Sequence, residues 1–440
     1  MTKFYLILLF AFGVSTEVFA EKFHGRVTMG SLMSKETFKE DSAESTNNDF
    51  NIFSTRFYLD VSEIGNQKYS VITDLRDKHD FFHKFNKEKL QLEGENDLQV
   101  RQMYLKHTNK RGNIFYNIGR FSPPEAGAIY LDGAQVGYRF DNSLSVSVLG
   151  GLNPKKETES SLAYNDNAYN QGLSTLYFKK RKKGAYLYLA NSFVRQGYKS
   201  EVDREFIFHN SIYQPNRYHR LTTLAYYDFV PSTKFQNLWI NYWSSIKRKY
   251  SYAITGSHID VIEYTRKQDV RETLDPSVYE SVKLKLRNKN TRKVTTEFKL
   301  SYGKRESDDL TKTEGSVGFI YHRFLNKNKN AHASFGYREN FTSKDILARF
   351  GIGSFSNKWE YSLDQEIILE EEEEARSGAA TVTELAATHL YSKTLFTTFS
   401  FQYARDEKVD IYSTFFKMTY RFGNREIAPL RDGAPAQGKL

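Results

Sequence analysis

Cationic side chains recur at every second residue in several parts of this chain, and this spacing is the feature with the most chemical content. Lys283, Lys285 and Arg287 alternate with aliphatic residues. On an extended strand, alternate side chains point to opposite faces, so these cations would share one face. Cations that line a water-filled passage favour anions. We predict that such a passage is lined by basic residues from several strands. They are Arg56, Arg120 (which lies before a Pro-Pro pair), Lys283, Lys285, Arg287, Lys293, Lys299, Lys417 and Arg421.

Two other interpretations of these cations stay open. They could pair with carboxylates such as Asp60 and Glu297 and fill an interior that conducts nothing. They could also sit at the rims of a barrel and bind acidic lipid.

The sequence gives little indication of phosphate binding, nucleophilic catalysis, metal binding or thiol chemistry. The stretch Gly150–Pro154 lacks the Gly-Lys-Ser/Thr of a phosphate-binding loop, and no Gly-x-Ser-x-Gly motif marks a nucleophilic serine. His79 and His83 flank Asp80 in a polar stretch, which a solvated loop explains better than a metal site. The absence of cysteine excludes thiol catalysis and disulfides. We predict no catalytic, cofactor or metal site, and no enzyme.

Strands must position the cations, and two-residue alternation runs along the whole chain. In the last strand, Ile411–Phe422, the even-numbered residues are mostly aromatic or apolar, whereas the odd-numbered set includes Lys417 and Arg421. Counting such segments predicts about 18 antiparallel strands, with a range of about 16–22. An even number is expected if both termini lie on one side of a membrane.

Short polar turns and long polar links separate the strands. The short turns include Lys182–Gly184 and Asn288–Asn290. Among the predicted long links are Gln196–Asp203 and the acidic stretch Glu370–Gly378. Short turns at one rim and long loops at the other are expected of bacterial outer-membrane barrels.

The first residues, Met1–Ala20, have the pattern of a cleavable signal peptide: Lys3, an apolar run, and Val-Phe-Ala at the end. The apolar run is about 11 residues, too short for the roughly 20 that span a bilayer as a helix. The domain prediction is a signal peptide at 1–20, a barrel at 21–422 and a flexible tail at 423–440.

Composition agrees with an exported membrane barrel. Aromatic residues make up 15% of the chain and the formal net charge is +10. Export makes nucleic acid an unsuitable partner, so the positive charge suits anionic head groups, anionic solutes or simply a solvated surface. Closing a sheet of so many strands removes its edges, and lipid makes closure compulsory. A soluble exported β-sandwich stays an alternative. Aromatic residues expected at the membrane interfaces are Tyr130, Tyr138, Tyr227, Trp239, Trp243, Tyr391 and Tyr420.

The leader, the alternating strands and a last strand ending in Met418–Phe422 resemble the Gram-negative outer-membrane β-barrel family, its porin-like members in particular. The resemblance implies location in the outer membrane, contact with its lipid and lipopolysaccharide, and assembly by machinery that reads a terminal aromatic, here Phe422. It is also compatible with a homotrimer. The tail beyond Phe422 departs from the family pattern, since many porins end at the aromatic.

The function predicted from these features is passive diffusion of small hydrophilic solutes, with anion preference as a hypothesis. Strand alternation begins by about Phe53, which leaves no room for the plug domain of a gated importer. The alternatives are a structural or adhesive barrel with a filled lumen, and an outer-membrane hydrolase.

Overall fold

A computed structural model describes residues 20–39, 47–64, 68–80, 96–108, 112–127, 129–141, 143–154, 164–181, 184–247, 249–260, 262, 278–341, 343–372 and 378–424. The predicted signal peptide, apart from Ala20, and the predicted tail from residue 425 onward lie outside the described residues. Both therefore stay predictions.

The described chain forms 22 β-strands and one short 3₁₀ helix, Pro124–Ala126. In chain order the strands are β1 Ala20–Phe38, β2 Asn47–Glu63, β3 Tyr69–Asp80, β4 Asn96–Thr108, β5 Ile114–Phe121, β6 Leu131–Arg139, β7 Leu144–Pro154, β8 Tyr164–Lys180, β9 Tyr186–Tyr198, β10 Glu201–Asn216, β11 His219–Val230, β12 Lys234–Ile246, β13 Tyr250–Ile259, β14 Tyr279–Lys289, β15 Val294–Arg305, β16 Thr311–His322, β17 Lys329–Glu339, β18 Ser343–Phe355, β19 Trp359–Glu372, β20 Gly378–Leu390, β21 Leu395–Arg405 and β22 Val409–Gly423.

Every strand pairs antiparallel with its neighbours in sequence, and the two ends of the sheet meet. The first strand, β1, pairs with both β2 and β22, with Gly25 opposite Phe422 and Gly30 opposite Lys417. The sheet is thus a closed barrel, which satisfies the backbone groups of every strand internally. Closure confirms the predicted all-β antiparallel barrel and the predicted pairing of Ile411–Phe422 with the start of the chain.

The strand number differs from the prediction of about 18 and lies at the upper end of the range. One reason is visible at Gln196–Asp203, which we predicted as a long link. There β9 and β10 are separated only by Lys199 and Ser200. Polar residues continue as strand because both faces of a strand meet water beyond the membrane, so alternation disappears while the hydrogen-bond ladder continues.

The two rims of the barrel differ as predicted. Each even-numbered strand is joined to the next by a turn of a few residues, such as 217–218 between β10 and β11. These turns lie at one rim, here called the turn rim, together with the start of β1 and the end of β22. At the opposite rim, the loop rim, each odd-numbered strand ends and the next strand begins, and most of the larger gaps in sequence between strands fall there, such as that between β13 and β14.

The outer surface of the wall is apolar. Val282, Leu300 and Ile346 alternate with inward polar residues and are 56%, 58% and 58% exposed. In a water-soluble protein so many exposed aliphatic and aromatic side chains would be unfavourable, whereas lipid accommodates them. No helix long and apolar enough to span a membrane occurs in the described part of the chain.

Two of the residues expected in an interfacial belt lie elsewhere. Trp239 and Trp243 share a face with Asn241, whose amide donates to Thr255 Oγ1 at 2.6 Å. Thr255 lies opposite Lys283 on the inner face. The period-two pattern of β12 carries apolar residues on both faces, which is why the sequence did not separate inside from outside there.

Candidate functional site: the barrel lumen

The connection between β5 and β6 folds into the lumen rather than away from the barrel. Its 3₁₀ helix, Pro124–Ala126, contacts the inner faces of β8, β9 and β10. Tyr226 Oη donates to the Gly127 carbonyl at 3.1 Å, and Asn170 Nδ2 donates to the Tyr130 carbonyl at 3.0 Å. Residues 122–127 and 129–130, here called the inward segment, therefore narrow the lumen.

A buried apolar cluster holds the inward segment in place. The cluster comprises Phe121, Ala126, Ile129, Leu131, Leu149, Val194, Phe206 and Phe208. Where the inward segment covers the wall, the inner face carries apolar side chains. Contact between the segment and the wall removes water from both surfaces, which favours apolar residues there. Tyr130, predicted at the membrane interface, belongs to this segment.

Local residue types explain the shape of the segment. A proline begins the 3₁₀ helix, where its missing N–H costs nothing. Gly127 ends the helix with φ 70°, a left-handed conformation that favours glycine. A β-carbon at Gly127 would also press on Phe208 and on the ring of Tyr226. The sequence signal that could have revealed the segment is the apolar run Ala126–Leu131 after Pro123 and Pro124, which is unusual for a solvated loop.

A chain of hydrogen bonds joins the inward segment to buried polar side chains of the wall. Gln135 Nε2 donates to Glu125 Oε1 at 2.5 Å and to Ser147 Oγ at 2.9 Å. Ser147 in turn bonds to Ser174 Oγ at 2.7 Å. These hydrogen bonds hold the segment in place, because breaking one would leave a buried polar group unsatisfied.

Strands β14 and β15 carry the densest group of the predicted lumen cations. Glu297 Oε2 lies 3.1 Å from Lys285 Nζ and 2.7 Å from Arg287 Nη2, and its Oε1 lies 3.3 Å from Lys299 Nζ. Lys283 lies two residues before Lys285, opposite Ser301. One carboxylate therefore serves several cations, and this part of the wall stays positive.

A second basic region follows β22, β1, β2 and β3. Lys417 lies opposite Gly30, and Arg421 lies opposite Arg26. The Arg421 guanidinium also lies 5.3 Å from the Phe396 ring centroid. Arg56, on β2, is paired with Asp74 through Nε–Oδ1 at 2.7 Å and Nη2–Oδ2 at 2.5 Å.

Two predicted lumen residues occupy other environments. Arg120 is buried, with Nε and Nη2 each donating to an Asp132 carboxylate oxygen at 2.6 Å and Nη1 donating to the Val100 carbonyl. Lys293 precedes β15, in the turn at residues 290–293, and is exposed at the turn rim. Neither side chain belongs to the basic regions of the wall.

The sequence prediction missed an acidic region of the lumen on β18, β19 and β20. Asp364 accepts from Arg349 at 3.2 Å and lies 2.9 Å from His332 Nε2, while Asp345 pairs with Arg338 Nη2 at 2.5 Å. Glu366 and Glu384 lie on the same face. Asp364 and Glu366 alternate with apolar or amide residues, the same signal that identified the lysines.

A closed antiparallel barrel with an apolar exterior, a polar and charged interior, and turns at one rim is the architecture of outer-membrane β-barrels. No protein-family model matches the sequence, and no curated protein matches it.

Solved structures with a similar fold include Acinetobacter baumannii OccAB4, at 8% identity and TM-score 0.41, covering 92% of this chain and 99% of that chain. They also include Pseudomonas aeruginosa OpdQ, at 7% identity and TM-score 0.44, covering 91% and 98%. A bacterial polysaccharide outer membrane secretin is similar at 9% identity and TM-score 0.36, covering 90% and 98%.

Proposed function

We propose that this protein is an outer-membrane channel for passive diffusion of small hydrophilic solutes, with a preference for anions. The observation that carries the proposal is the solvent exposure of side chains that face the interior. The inward side chains of Lys285, Lys299 and Arg349 are 46%, 53% and 48% exposed. Cations on the inside of a filled barrel would be covered, so this exposure supports a lumen that holds water.

The size of the barrel supports the same proposal. Barrels of about 8 strands are filled by their own side chains, whereas barrels of about 16–18 strands leave an aqueous channel. A barrel of 22 strands is wider still, and the described inward segment contacts one part of the wall, chiefly β8–β11. Selection would then depend on lumen width and on the field of the basic regions, with no chemical step.

Anion preference rests on the balance of lumen charge on β14 and β15. Four cations, Lys283, Lys285, Arg287 and Lys299, share the face of one carboxylate, Glu297. The acidic region on β18–β20 opposes this preference, although Arg338, Arg349 and His332 compensate part of its charge. The preference is therefore expected to be moderate.

Swelling of proteoliposomes tests passive diffusion. Liposomes that contain the folded protein are expected to swell in solutions of small sugars and amino acids, at rates that fall with solute size. Liposomes prepared without protein provide the control. Equal rates with and without protein would reject the channel and favour the structural or adhesive barrel with a filled lumen.

Histidine–carboxylate pairs are the structural feature that bears on the alternative of an outer-membrane hydrolase. Histidine–carboxylate pairs in the described residues include His24–Asp60, His258–Glu280 and His332–Asp364. In that part of the chain no serine hydroxyl is hydrogen-bonded to any of these three imidazoles, as a serine nucleophile would require. Hydrolysis of chromogenic esters by the folded protein would revive the alternative.

Self-association, including the homotrimer, is proposed from the outer surface. Asn191, His209, Ser211 and Thr223 form a hydrogen-bonded group there, with His209 Nδ1 2.7 Å from Asn191 Oδ1 and Nε2 3.2 Å from Thr223 Oγ1. The group lies toward the middle of its strands, beside the exposed Ile207 and Phe193. Polar groups at membrane depth are unfavourable toward lipid, so a second copy of the chain is the partner that we propose.

Cross-linking of the protein in liposomes tests this contact. The wild type is expected to form discrete oligomers, and a His209→Leu, Thr223→Val double variant is expected to form fewer. An unchanged oligomer pattern would reject the contact on β9–β11. Outer-membrane lipid and the barrel-assembly machinery are proposed as the other partners, the latter through Phe422.

A further inference from the structure

The inner face of β18 has a gap in its row of side chains. Gly351 and Gly353 both face the lumen, on the same side as Arg349. At Gly351 the space is occupied, because a β-carbon would overlap His332 and Asp364. At Gly353 the space is open, since the nearest atom to an added β-carbon is the Tyr361 carbonyl oxygen at 3.9 Å.

The open space at Gly353 is part of a recess in the wall across β17–β20, close to the turn rim. Its cavity volume is about 280 Å³. That volume equals roughly nine water molecules at about 30 Å³ each, which suits a solute the size of one sugar ring. The residues that give the recess its polar character are Asn330, Glu360, Ser362 and Thr388.

The lining has a definite chemical preference. It offers a carboxylate, an amide and hydroxyls, and the lining contains no lysine, arginine or histidine. Glu360 forms no ion pair within the described residues. Phe355 and Ala386 add apolar surface, which suits the C–H face of a sugar ring. The recess therefore accepts hydrogen bonds from a solute and repels an anionic group.

We propose that this recess is a binding site for sugar-sized solutes that carry hydroxyl or ammonium donors and no anionic group. The proposal rests on the proposed channel function, because the solute reaches the recess through the lumen. It adds a local preference that differs from the long-range preference for anions set by β14 and β15. Neutral and amino sugars would bind at the recess, whereas acidic sugars would cross the lumen without binding there.

Saturation-transfer NMR on the detergent-folded protein tests the site without any need for conductance. Glucose, glucosamine and glucuronate serve as probes, because they share one ring and differ in charge. Signals are expected for glucose and glucosamine and not for glucuronate. A glucuronate signal equal to that of glucose would overturn the proposed chemistry.

Filling the recess provides the decisive variant. Gly353→Leu is expected to abolish the glucose and glucosamine signals while the barrel folds normally, since the added side chain enters open space. Gly318→Leu is the matched control: Gly318 lies on the inner face of β16, where an added β-carbon would make ordinary contacts at 3.4 and 3.6 Å. Signals that survive Gly353→Leu would place binding elsewhere and overturn the proposal.

Glu360→Gln removes the negative charge of the recess while it keeps the size of the side chain, so it tests the contribution of the charge alone. The dissociation constant for glucosamine is expected to rise about ten-fold, because a charge-assisted hydrogen bond is lost, whereas that for glucose should change little. An equal change for both sugars would overturn the role of Glu360. A protein that binds sugars in this assay yet conducts nothing would reject the channel and leave the recess established.

Discussion

The ring of Phe422, on the last strand, lies directly over Gly25, on the first strand. The two residues are paired across the seam that closes the barrel, and a β-carbon at Gly25 would overlap the Phe422 ring. Phe57 and Tyr420 stack on the same ring, with centroids 6.4 and 6.1 Å away. Glycine at position 25 is therefore what lets the terminal aromatic pack against the first strands.

Substitution at this seam should weaken the barrel. Gly25→Ala is expected to lower the free energy of unfolding by about 1–3 kcal/mol, the usual cost of overpacking. Urea unfolding of the folded protein in liposomes measures the effect. Gly256→Ala is the control, since no atom lies within 4 Å of its added β-carbon. Equal midpoints for the two variants would show that the Phe422 ring moves away without loss.

Release of the inward segment should widen the lumen. Gly127→Ala combines an unfavourable φ with contacts to Phe208 and Tyr226, so the segment is expected to undock. Single-channel conductance should increase and become noisier. Gly184→Ala is the matched control, because Gly184 has a similar φ of 77° in the turn before β9, with its nearest neighbour at 3.7 Å. Equal conductance in the two variants would contradict the role assigned to the inward segment.

A buried ion pair near the loop rim should matter for stability. Arg204 Nε and Nη2 donate to the two Asp228 oxygens at 2.8 and 2.9 Å, and the two side chains are only 5% and 2% exposed. Asp228→Ala leaves a buried guanidinium unpaired and is expected to cost about 3–5 kcal/mol. Unfolding in urea measures this loss.

The control for that variant removes an exposed ion pair from the same rim. Asp309→Ala breaks the contact of 2.6 Å with Lys304, whose side chain is well exposed. The unfolding midpoint should stay at the wild-type value, because water replaces the lost partner. A larger loss for Asp309→Ala than for Asp228→Ala would contradict the burial argument.

Charge on β14 and β15 should set the ion preference. Lys285→Gln and Lys299→Gln should each lower the anion-to-cation permeability ratio several-fold, because a unit charge at about 8 Å in water acts by roughly 0.5 kcal/mol on each ion, with opposite sign for anion and cation. Reversal potentials under a salt gradient measure the ratio. Lys293→Gln removes the same charge from the exposed turn and should change the ratio less. An equal effect at Lys293 would indicate surface charge rather than lumen charge.

Period-two alternation was enough to predict the closed antiparallel barrel and its closing strand. Strand number was underestimated because strand ends beyond the membrane, as at Gln196–Asp203, are polar on both faces. The inward segment left only a weak signal in the sequence, the apolar run 126–131, because its position depends on contacts with β8–β11, which are distant in sequence. The recess at Gly353 left none, because it depends on which side chains of four successive strands leave space on the inner face. Arg120 illustrates a different limit, because alternation does not show that its guanidinium is buried and paired with Asp132 on the neighbouring strand β6.

Planar-bilayer recording of the detergent-folded protein under a salt gradient tests most directly whether the lumen conducts. Discrete conductance steps are expected, with a reversal potential on the anion-selective side. A cation-selective reversal potential would contradict the anion preference alone. Complete absence of conductance from correctly folded protein would contradict the channel itself.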